Sequence, residues 1–181
     1  LERRATADAL KAGDVLVLLG EGAGHLGQSK YAHELFGLGG AAPPVDLSLE
    51  KRHGDFVRAL IGDGLVRACH DLSDGGLACA AAEMALGSFV GVALGYQGDL
   101  SDAAFLYGEN QARYLIALAP ALMDEFDRRA RAAGTGYLVV GEAGGREISF
   151  LGASGAREHV SLEDLRKAHE DWLPAYMKVA H

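Results

Sequence analysis

The sequence has few of the residues that mark secreted, membrane or nucleic-acid-binding proteins. Its only two cysteines, Cys69 and Cys79, are too few for a disulfide framework, so we expect both in the core of a cytoplasmic protein. Lysine and arginine total 17 against 25 aspartates and glutamates, and the net charge of −8 argues against a nucleic-acid partner. No apolar run has transmembrane length, and the first residues lack the apolar segment of a signal peptide, so no membrane association is expected.

The rest of the composition is that of an ordinary globular chain of 181 residues. Hydrophobic residues make up 49% and charged residues 23%, which suits one domain with its own core. We take residues 1–13 as a lead-in and residues 14–181 as the domain. Because the chain begins without methionine, we expect it to be a segment of a longer protein.

Apolar patterning and turn residues predict strands and helices that are interspersed along the chain. Apolar runs predict strands at 15–19, 65–69, 89–96, 113–119, 137–140 and 147–151. Capping residues and apolar faces predict helices at 29–36, 48–62, 75–86, 120–134 and from 161 onward. Because the two types do not alternate strictly, we expect an α+β fold with a mixed β-sheet layered with helices.

Residues 68–77, Ala-Cys-His-Asp-Leu-Ser-Asp-Gly-Gly-Leu, place charged and small residues directly before an apolar helix. Amide groups at a helix N-terminus attract anions, so the N–H groups of Gly75 and Gly76 are candidates for a phosphate contact. Asp71 and Asp74 would repel a bare phosphate, but Mg²⁺ binds carboxylate and phosphate oxygens together. The segment therefore indicates a metal–phosphate site, with an ordinary capped turn as the alternative.

Four further residues are supporting candidates for the site. His70 lies in this chemically dense segment, although a hydrogen-bonded structural histidine is the more common case. Glu83 is the only charged residue of an otherwise apolar helix, so we expect it to be buried or paired. Glu109 and Arg113 flank the start of an apolar strand, and we interpret them as a structural ion pair ahead of a catalytic one.

A glycine-rich stretch at residues 22–27 matches the dinucleotide-binding pattern G-x-G-x-x-G, with Asp46 about twenty residues further on. That fingerprint needs a strand–helix–strand unit with the acid closing its second strand. Here the helix ends at Gly37, and the prolines at 43–44 disfavour a central strand before Asp46. We therefore do not interpret the stretch as a dinucleotide site.

The segment at residues 70–77, together with Ala-Glu-Met-Ala at 82–85, resembles the signature of the C-terminal domain of phosphoribosylformylglycinamidine synthase. Further similar segments follow in the order of that family, and they lie at 15–20, 26–31, 43–47 and 106–114. The sequence departs from the family at Gln28 and Lys30, where glycine and glutamate are usual.

The resemblance implies the fold of an aminoimidazole ribonucleotide synthetase C-terminal domain. It also implies an ATP-dependent ligase of purine biosynthesis, which converts formylglycinamide ribonucleotide to its amidine with ammonia from glutamine. A glutaminase and small accessory subunits are the implied partners, and ATP and Mg²⁺ the implied cofactors.

Within this chain, Asp71 resembles a Mg²⁺ ligand and Ser73 a nucleotide-phosphate contact. No catalytic residue is carried over, because the catalytic histidine of the family lies upstream, so this segment alone is expected to be inactive. Two alternatives stay open: a non-catalytic assembly module of that enzyme, and a related ATP-dependent enzyme such as selenophosphate synthetase.

Overall fold

Seven strands and six helices form the described part of the chain, which in this computed structural model comprises residues 4–20, 22, 24–153 and 155–179. Outside the described residues are 1–3, 21, 23, 154, 180 and 181. The parts of our predictions that fall on these positions are therefore outside the described residues as well. The strands are β1 Val15–Leu19, β2 Ala68–Asp71, β3 Val92–Gly95, β4 Tyr114–Leu118, β5 Tyr137–Ala143, β6 Glu147–Leu151 and β7 Arg157–Ser161. The helices are α1 Lys30–Phe36, α2 Leu47–Gly62, α3 Gly76–Ser88, α4 Asp102–Tyr107, α5 Met123–Ala133 and α6 Leu162–Val179.

The strands form one mixed sheet in the order β2-β4-β1-β5-β3-β6-β7. Neighbouring strands are antiparallel except for β3 and β6, which pair in parallel. The central strand β1 pairs with β4 on one side and with β5 on the other, so it is hydrogen-bonded along both edges. This sheet with its helices confirms the predicted α+β class.

Helices cover both faces of the sheet because β1 and β4 carry apolar side chains in both directions. Leu16 and Leu18 of β1 belong to the core that includes α3, whereas Val17 and Leu19 pack with α2 and α5 on the opposite face. Helix α3 is rich in alanine and has residues buried along most of its length, which brings it close to the sheet. No helix in the described ranges is long and apolar enough to cross a membrane.

Several element bounds differ from those predicted. Strand β7 was not predicted, because its five residues are polar or exposed and show no apolar alternation. Helix α4 was not predicted either, since it has only six residues behind its Ser101 cap. Strand β3 is shorter than the predicted strand at 89–96, because Phe89 adopts a left-handed conformation that ends α3.

The described residues before β1 contact the body of the domain. Thr6 forms an isolated bridge with Ala68 of β2, and the side chain of Leu10 is buried in the core. Lys11 N–H donates to the buried carboxylate of Asp14, which also accepts from Arg67. The predicted domain boundary at residue 14 stays a prediction, and the residues just before it are packed on the sheet.

Candidate functional site

The turn between β2 and α3, residues 72–75, is held against the start of β4. The amide of Leu72 donates to the carbonyl of Arg113 at 2.9 Å, which extends the pairing of β2 and β4 into the turn. Gly75 and Gly76 both have positive φ, +79° and +61°, which favours glycine. A Cβ on Gly76 would also lie 2.7 Å from the carbonyl oxygen of Gly108, so the chain can follow this path only with glycine there.

Both amide groups that the sequence predicts for a phosphate are already hydrogen-bonded within the protein. The N–H of Gly75 donates to Oε1 of Glu109 at 2.7 Å. The N–H of Gly76 donates to the carbonyl of Ser73 at 3.0 Å. In this structure the carboxylate of Glu109 thus takes the place in front of α3 that the sequence predicts for the phosphate.

Glu109 joins three segments of the site. The same Oε1 that accepts from Gly75 also accepts from the N–H of Lys30 at 2.8 Å, in the first turn of α1. The backbone N–H of Glu109 donates to the carbonyl of His25 at 3.0 Å. The loop that contains His25, the start of α1 and the start of α3 are therefore fixed relative to one another by a single residue.

Gln28 and Lys30, the two residues that depart from the resembled family, contact other residues of this chain. The side-chain amide of Gln28 donates to the carbonyl of Gly40 at 2.8 Å, and Gln28 itself has a positive φ of +59°. The ammonium of Lys30 lies 4.0 Å from a carboxylate oxygen of Asp74, and both side chains are more than half exposed. Gln28 thus holds the segment before α1 to residue 40, while Lys30 lies beside Asp74 of the β2–α3 turn.

His70 is hydrogen-bonded at both ring nitrogens. Its Nε2 lies 2.6 Å from a carboxylate oxygen of Glu83, and its Nδ1 lies 2.6 Å from the carbonyl oxygen of Asp71. Glu83 is therefore paired, as expected, but 60% of its side chain is exposed, so it is not buried. Of the two expected alternatives, burial or pairing, Glu83 shows pairing, because it lies on the part of α3 that faces His70 and solvent.

An open cavity of about 310 Å³ lies beside the β2–α3 turn. It is lined by Pro43, Glu50, residues 71–74, Glu109 and residues 111–114, and we call it the acidic cavity. Asp71 and Asp74 present their carboxylates to solvent, with 74% and 76% of the side chains exposed. Four carboxylates in one cavity repel a bare anion and attract a cation.

The residues of the acidic cavity suit Mg²⁺, which takes some of its ligands from phosphates and water. They do not suit a metal ion whose ligands all come from the protein. Among the described residues, no three or more side chains of the ligand types are grouped closely enough to hold a metal ion by themselves. Mg²⁺ is commonly bound by one or two carboxylates together with substrate phosphates and water. Asp71 and Asp74 supply such carboxylates, and the exposed Ser73 lies between them in sequence.

Arg113 is buried in the wall of the acidic cavity, with 5% of its surface exposed. Its NH1 donates to the carbonyl of Gly108 at 3.2 Å, and its buried Nε has no hydrogen-bond partner in the described ranges. The predicted ion pair with Glu109 is wrong, because the carboxylate of Glu109 bonds backbone amides instead. Burial lowers the pKa of Arg113 to about 10, so the side chain is charged at neutral pH.

Two residues of α2 that the sequence analysis did not single out hold the segment before β4. Glu50 accepts from the N–H of Ala112 at 2.9 Å and also lines the acidic cavity. The buried ring of His53 donates through Nδ1 to the carbonyl of Ala112 at 2.7 Å. No pattern in α2 distinguishes these two residues, because their partner is about sixty residues away in the chain.

The remaining predictions near the site concern Asp46 and the cysteines. Asp46 caps α2 by accepting from the amides of Ser48 and Leu49, which agrees with rejecting a dinucleotide site. Cys69 is partly buried, and burial raises the pKa of its thiol to about 12. Cys79 is exposed, so its predicted place in the core is wrong, and burial of its sulfur still raises its pKa.

A family model covers most of the chain. Residues 11–153 match the model described as AIR synthase related protein, C-terminal domain. The chain belongs to this family. The matched range contains the β2–α3 turn, the loop after β1 and the segment from Glu109 to Arg113, so the whole candidate site lies within the AIR synthase related domain.

The relatives of this AIR synthase related domain are much longer proteins. The chain is 51% identical over 166 residues to the phosphoribosylformylglycinamidine synthase subunit PurL of Caulobacter vibrioides, and 47% identical to that of Brucella ovis. Each alignment covers 91% of this chain and 22% of the relative. The chain thus spans about a fifth of the length of these relatives.

Solved structures share the fold. PurL of Thermotoga maritima complexed with FGAR matches with a TM-score of 0.73 and 20% identity, over 89% of this chain and 29% of that one. The same protein complexed with ATP matches with a TM-score of 0.69 and 19% identity, over 89% and 27% of the two chains. In the structure of PurLQS from this organism the TM-score is 0.70, at 20% identity and over the same shares. At these identities the likeness shows the fold.

Proposed function

We propose that this chain acts as the C-terminal domain of a phosphoribosylformylglycinamidine synthase of purine biosynthesis. The observation that carries the proposal is the 51% identity to a PurL subunit over 91% of the chain, which includes the site residues. In the proposed reaction, the amide oxygen of formylglycinamide ribonucleotide takes the terminal phosphoryl group of ATP. Ammonia derived from glutamine then displaces that phosphate and leaves the amidine.

The contribution of this domain is a contact with the nucleotide. Mg²⁺, when bound, neutralises charge between carboxylates and phosphate oxygens. Asp71 would hold the metal from the end of β2, with Asp74 beside it, while the Ser73 hydroxyl donates to a phosphate oxygen. Because the amides of Gly75 and Gly76 are occupied, by Glu109 and by the carbonyl of Ser73, we assign both glycines to the shape of the turn.

The solved relatives support the assignment of ligands and partners. T. maritima PurL has been solved in complex with ATP, ADP, AMPPCP and FGAR, and one structure is of PurLQS. We extend to this chain an ATP-dependent carbon–nitrogen ligase activity that needs the rest of the enzyme. A glutaminase and a small accessory subunit are its proposed partners, in the cytoplasm.

Titration calorimetry with ADP tests the nucleotide contact. We expect Mg²⁺-dependent binding to the 181-residue chain and at least a tenfold loss of affinity in Asp71→Asn. Asp99→Asn is the matched control, because Asp99 lies outside the cavity lining. Unchanged Mg²⁺-dependent affinity in Asp71→Asn would remove Asp71 from the site.

A second candidate is a non-catalytic assembly module of the same enzyme. It is favoured by one observation: the amides in front of α3 are bonded by the protein itself. For such a module, Asp71→Asn and Ser73→Ala in the complete ligase would leave its activity unchanged. In the proposed function the same variants lower kcat/KM for ATP at least tenfold.

A further inference from the structure

Arg113 is the only arginine of the described chain that is both buried and without a carboxylate partner. Six other described arginines form ion pairs with aspartate or glutamate: Arg58, Arg67, Arg128, Arg129, Arg131 and Arg166. Apart from Arg113, the described arginines without such a pair are exposed. Buried charges in proteins are normally paired, because an unpaired one has lost its hydration without compensation. Arg113 is therefore an exception to the rule that a buried charge has a partner of opposite charge.

The hydrogen bonding of Arg113 is equally incomplete. A guanidinium has five N–H donors, and within the described part of the chain this one makes a single hydrogen bond, from NH1 to the carbonyl of Gly108. Its Nε is buried and has no hydrogen-bond partner among the residues that the structure describes. A carbonyl does not neutralise a positive charge, so the group retains both free donors and net charge.

Arg113 also lines a second cavity, of about 310 Å³, at the end of β1. The walls of this Gly20 cavity include Gly20, Gly22, Tyr96, Phe105 and Leu138. Arg113 is the only charged residue among its described lining residues, which include no carboxylate. The aliphatic part of Arg113 passes Gly20, since a Cβ on that glycine would lie 3.3 Å from Cγ of Arg113. Arg113 lines both cavities: it is the only charged residue in the described wall of the Gly20 cavity, whereas the acidic cavity also has four carboxylates.

We propose that the Gly20 cavity binds a small oxyanion, a phosphate group, through the guanidinium of Arg113. The planar fork of an arginine matches two oxygens of a phosphate, and such charge-assisted bonds are among the strongest hydrogen bonds in proteins. Glycine backbone, leucine side chains and aromatic rings form the rest of the described wall, and none of these described residues has a negative charge that would repel the anion. The Gly20 cavity shares Arg113 with the acidic cavity, but Asp71, the proposed nucleotide contact, lines only the acidic cavity. The phosphate is either a free inorganic ion or part of a larger molecule.

NMR of the arginine Nε–H groups tests this site directly on the 181-residue chain. The Arg113 signal is identified by its loss in Arg113→Lys, and sodium phosphate is titrated at constant ionic strength against sodium chloride. We expect phosphate, and not chloride, to shift the Arg113 signal. The Nε–H of Arg67 is the internal control, because it already donates to Asp14 at 2.9 Å. Ribose 5-phosphate in place of phosphate shows by its relative affinity which source the site prefers.

Two variants make the result specific. Arg113→Met keeps the aliphatic stem and removes the charge, so phosphate affinity measured by calorimetry should fall at least tenfold, with Arg113→Lys in between. Leu138→Glu keeps Arg113 and adds a carboxylate on the wall of the Gly20 cavity, so it should remove the phosphate response in a folded protein, whereas Leu138→Gln should not. Asp71→Asn should leave the phosphate response unchanged, which separates this site from the nucleotide contact.

The proposal is overturned if phosphate up to tens of millimolar leaves the Arg113 signal unshifted, or if Arg113→Met binds phosphate as well as the wild type. It is also overturned if Arg113 has a carboxylate partner within the chain. Glu21 lies outside the described residues and is the nearest acid in sequence to Gly20 and Gly22, so it is tested as that partner. Equal loss of thermal stability in Glu21→Gln, Arg113→Met and the double variant would show such an internal pair.

Discussion

Removing the carboxylate of Glu109 is the most informative change to the candidate site. One oxygen of this side chain accepts from two backbone amides that belong to different helices, at Gly75 and Lys30. In Glu109→Ala both amides lose their acceptor. In Glu109→Gln the side chain keeps a carbonyl oxygen of the same reach and loses only the charge.

The two amides contribute unequally, because Gly75 is buried and Lys30 is exposed. A hydrogen bond to a charged group contributes about 1.5–3 kcal/mol, and a buried N–H without a partner incurs its full desolvation cost. Water replaces the acceptor at Lys30, so that bond adds only about 0.5 kcal/mol. We therefore expect Glu109→Ala to lower the free energy of unfolding by about 2–3 kcal/mol, and Glu109→Gln by about 1 kcal/mol.

Urea and thermal denaturation measure the effect. In a chain of this size each kcal/mol shifts Tm by about 2–4 °C, so Glu109→Ala should melt about 4–12 °C lower. Glu142→Ala is the matched control, because Glu142 is exposed on β5 and its carboxylate has no hydrogen bond or ion pair among those of the described residues. If Glu109→Ala is as stable as Glu142→Ala, the reasoning on this residue is wrong.

Three further outcomes are expected. Glu83→Ala should lower the free energy of unfolding by less than about 1 kcal/mol, because its pair with His70 is exposed, and a larger loss in urea denaturation would contradict the surface geometry. Cys69 should react with iodoacetamide more slowly than Cys79 at pH 7.5, because burial raises the pKa of the Cys69 thiol to about 12. Mass spectrometry measures the two rates, and equal rates would contradict this expectation. The pKa of Glu125 is lowered to about 2 by hydrogen bonds from two arginines, so its contribution to stability is present above pH 4.5 and is lost as the pH falls toward 2. The Tm difference between wild type and Glu125→Gln should therefore vanish over that interval, and a constant difference would contradict it.

The sequence predicts most of the sheet because its central strands are continuous apolar runs. Residues 15–19 form β1 with the predicted bounds, and the run at 113–119 contains β4. Apolar runs do not predict strand β7, because its residues are mostly polar and lie at the edge of the sheet. They are held there by pairing with β6 rather than by burial. Edge strands of this kind carry charged side chains that discourage further pairing, which removes the apolar signal.

The candidate site was predictable in position but not in its hydrogen bonding. Glycines and acids at residues 70–77 mark a helix start that differs from the rest of the chain. The acceptor of Gly75, however, lies 34 residues away at Glu109, and sequence spacing does not reveal such a partner. The same holds for Glu50 and Ala112, which are 62 residues apart.

The position of β1 at the centre of the sheet has a consequence for synthesis of the chain. Its two partners, β4 and β5, follow it by roughly 100 and 120 residues, so β1 has neither edge paired when it leaves the ribosome. At about 5–20 residues per second, β5 is completed about 6–24 s after β1. During that time the run Val-Leu-Val-Leu-Leu has two free edges and two apolar faces, which makes it a natural binding segment for a chaperone that recognises extended apolar chain.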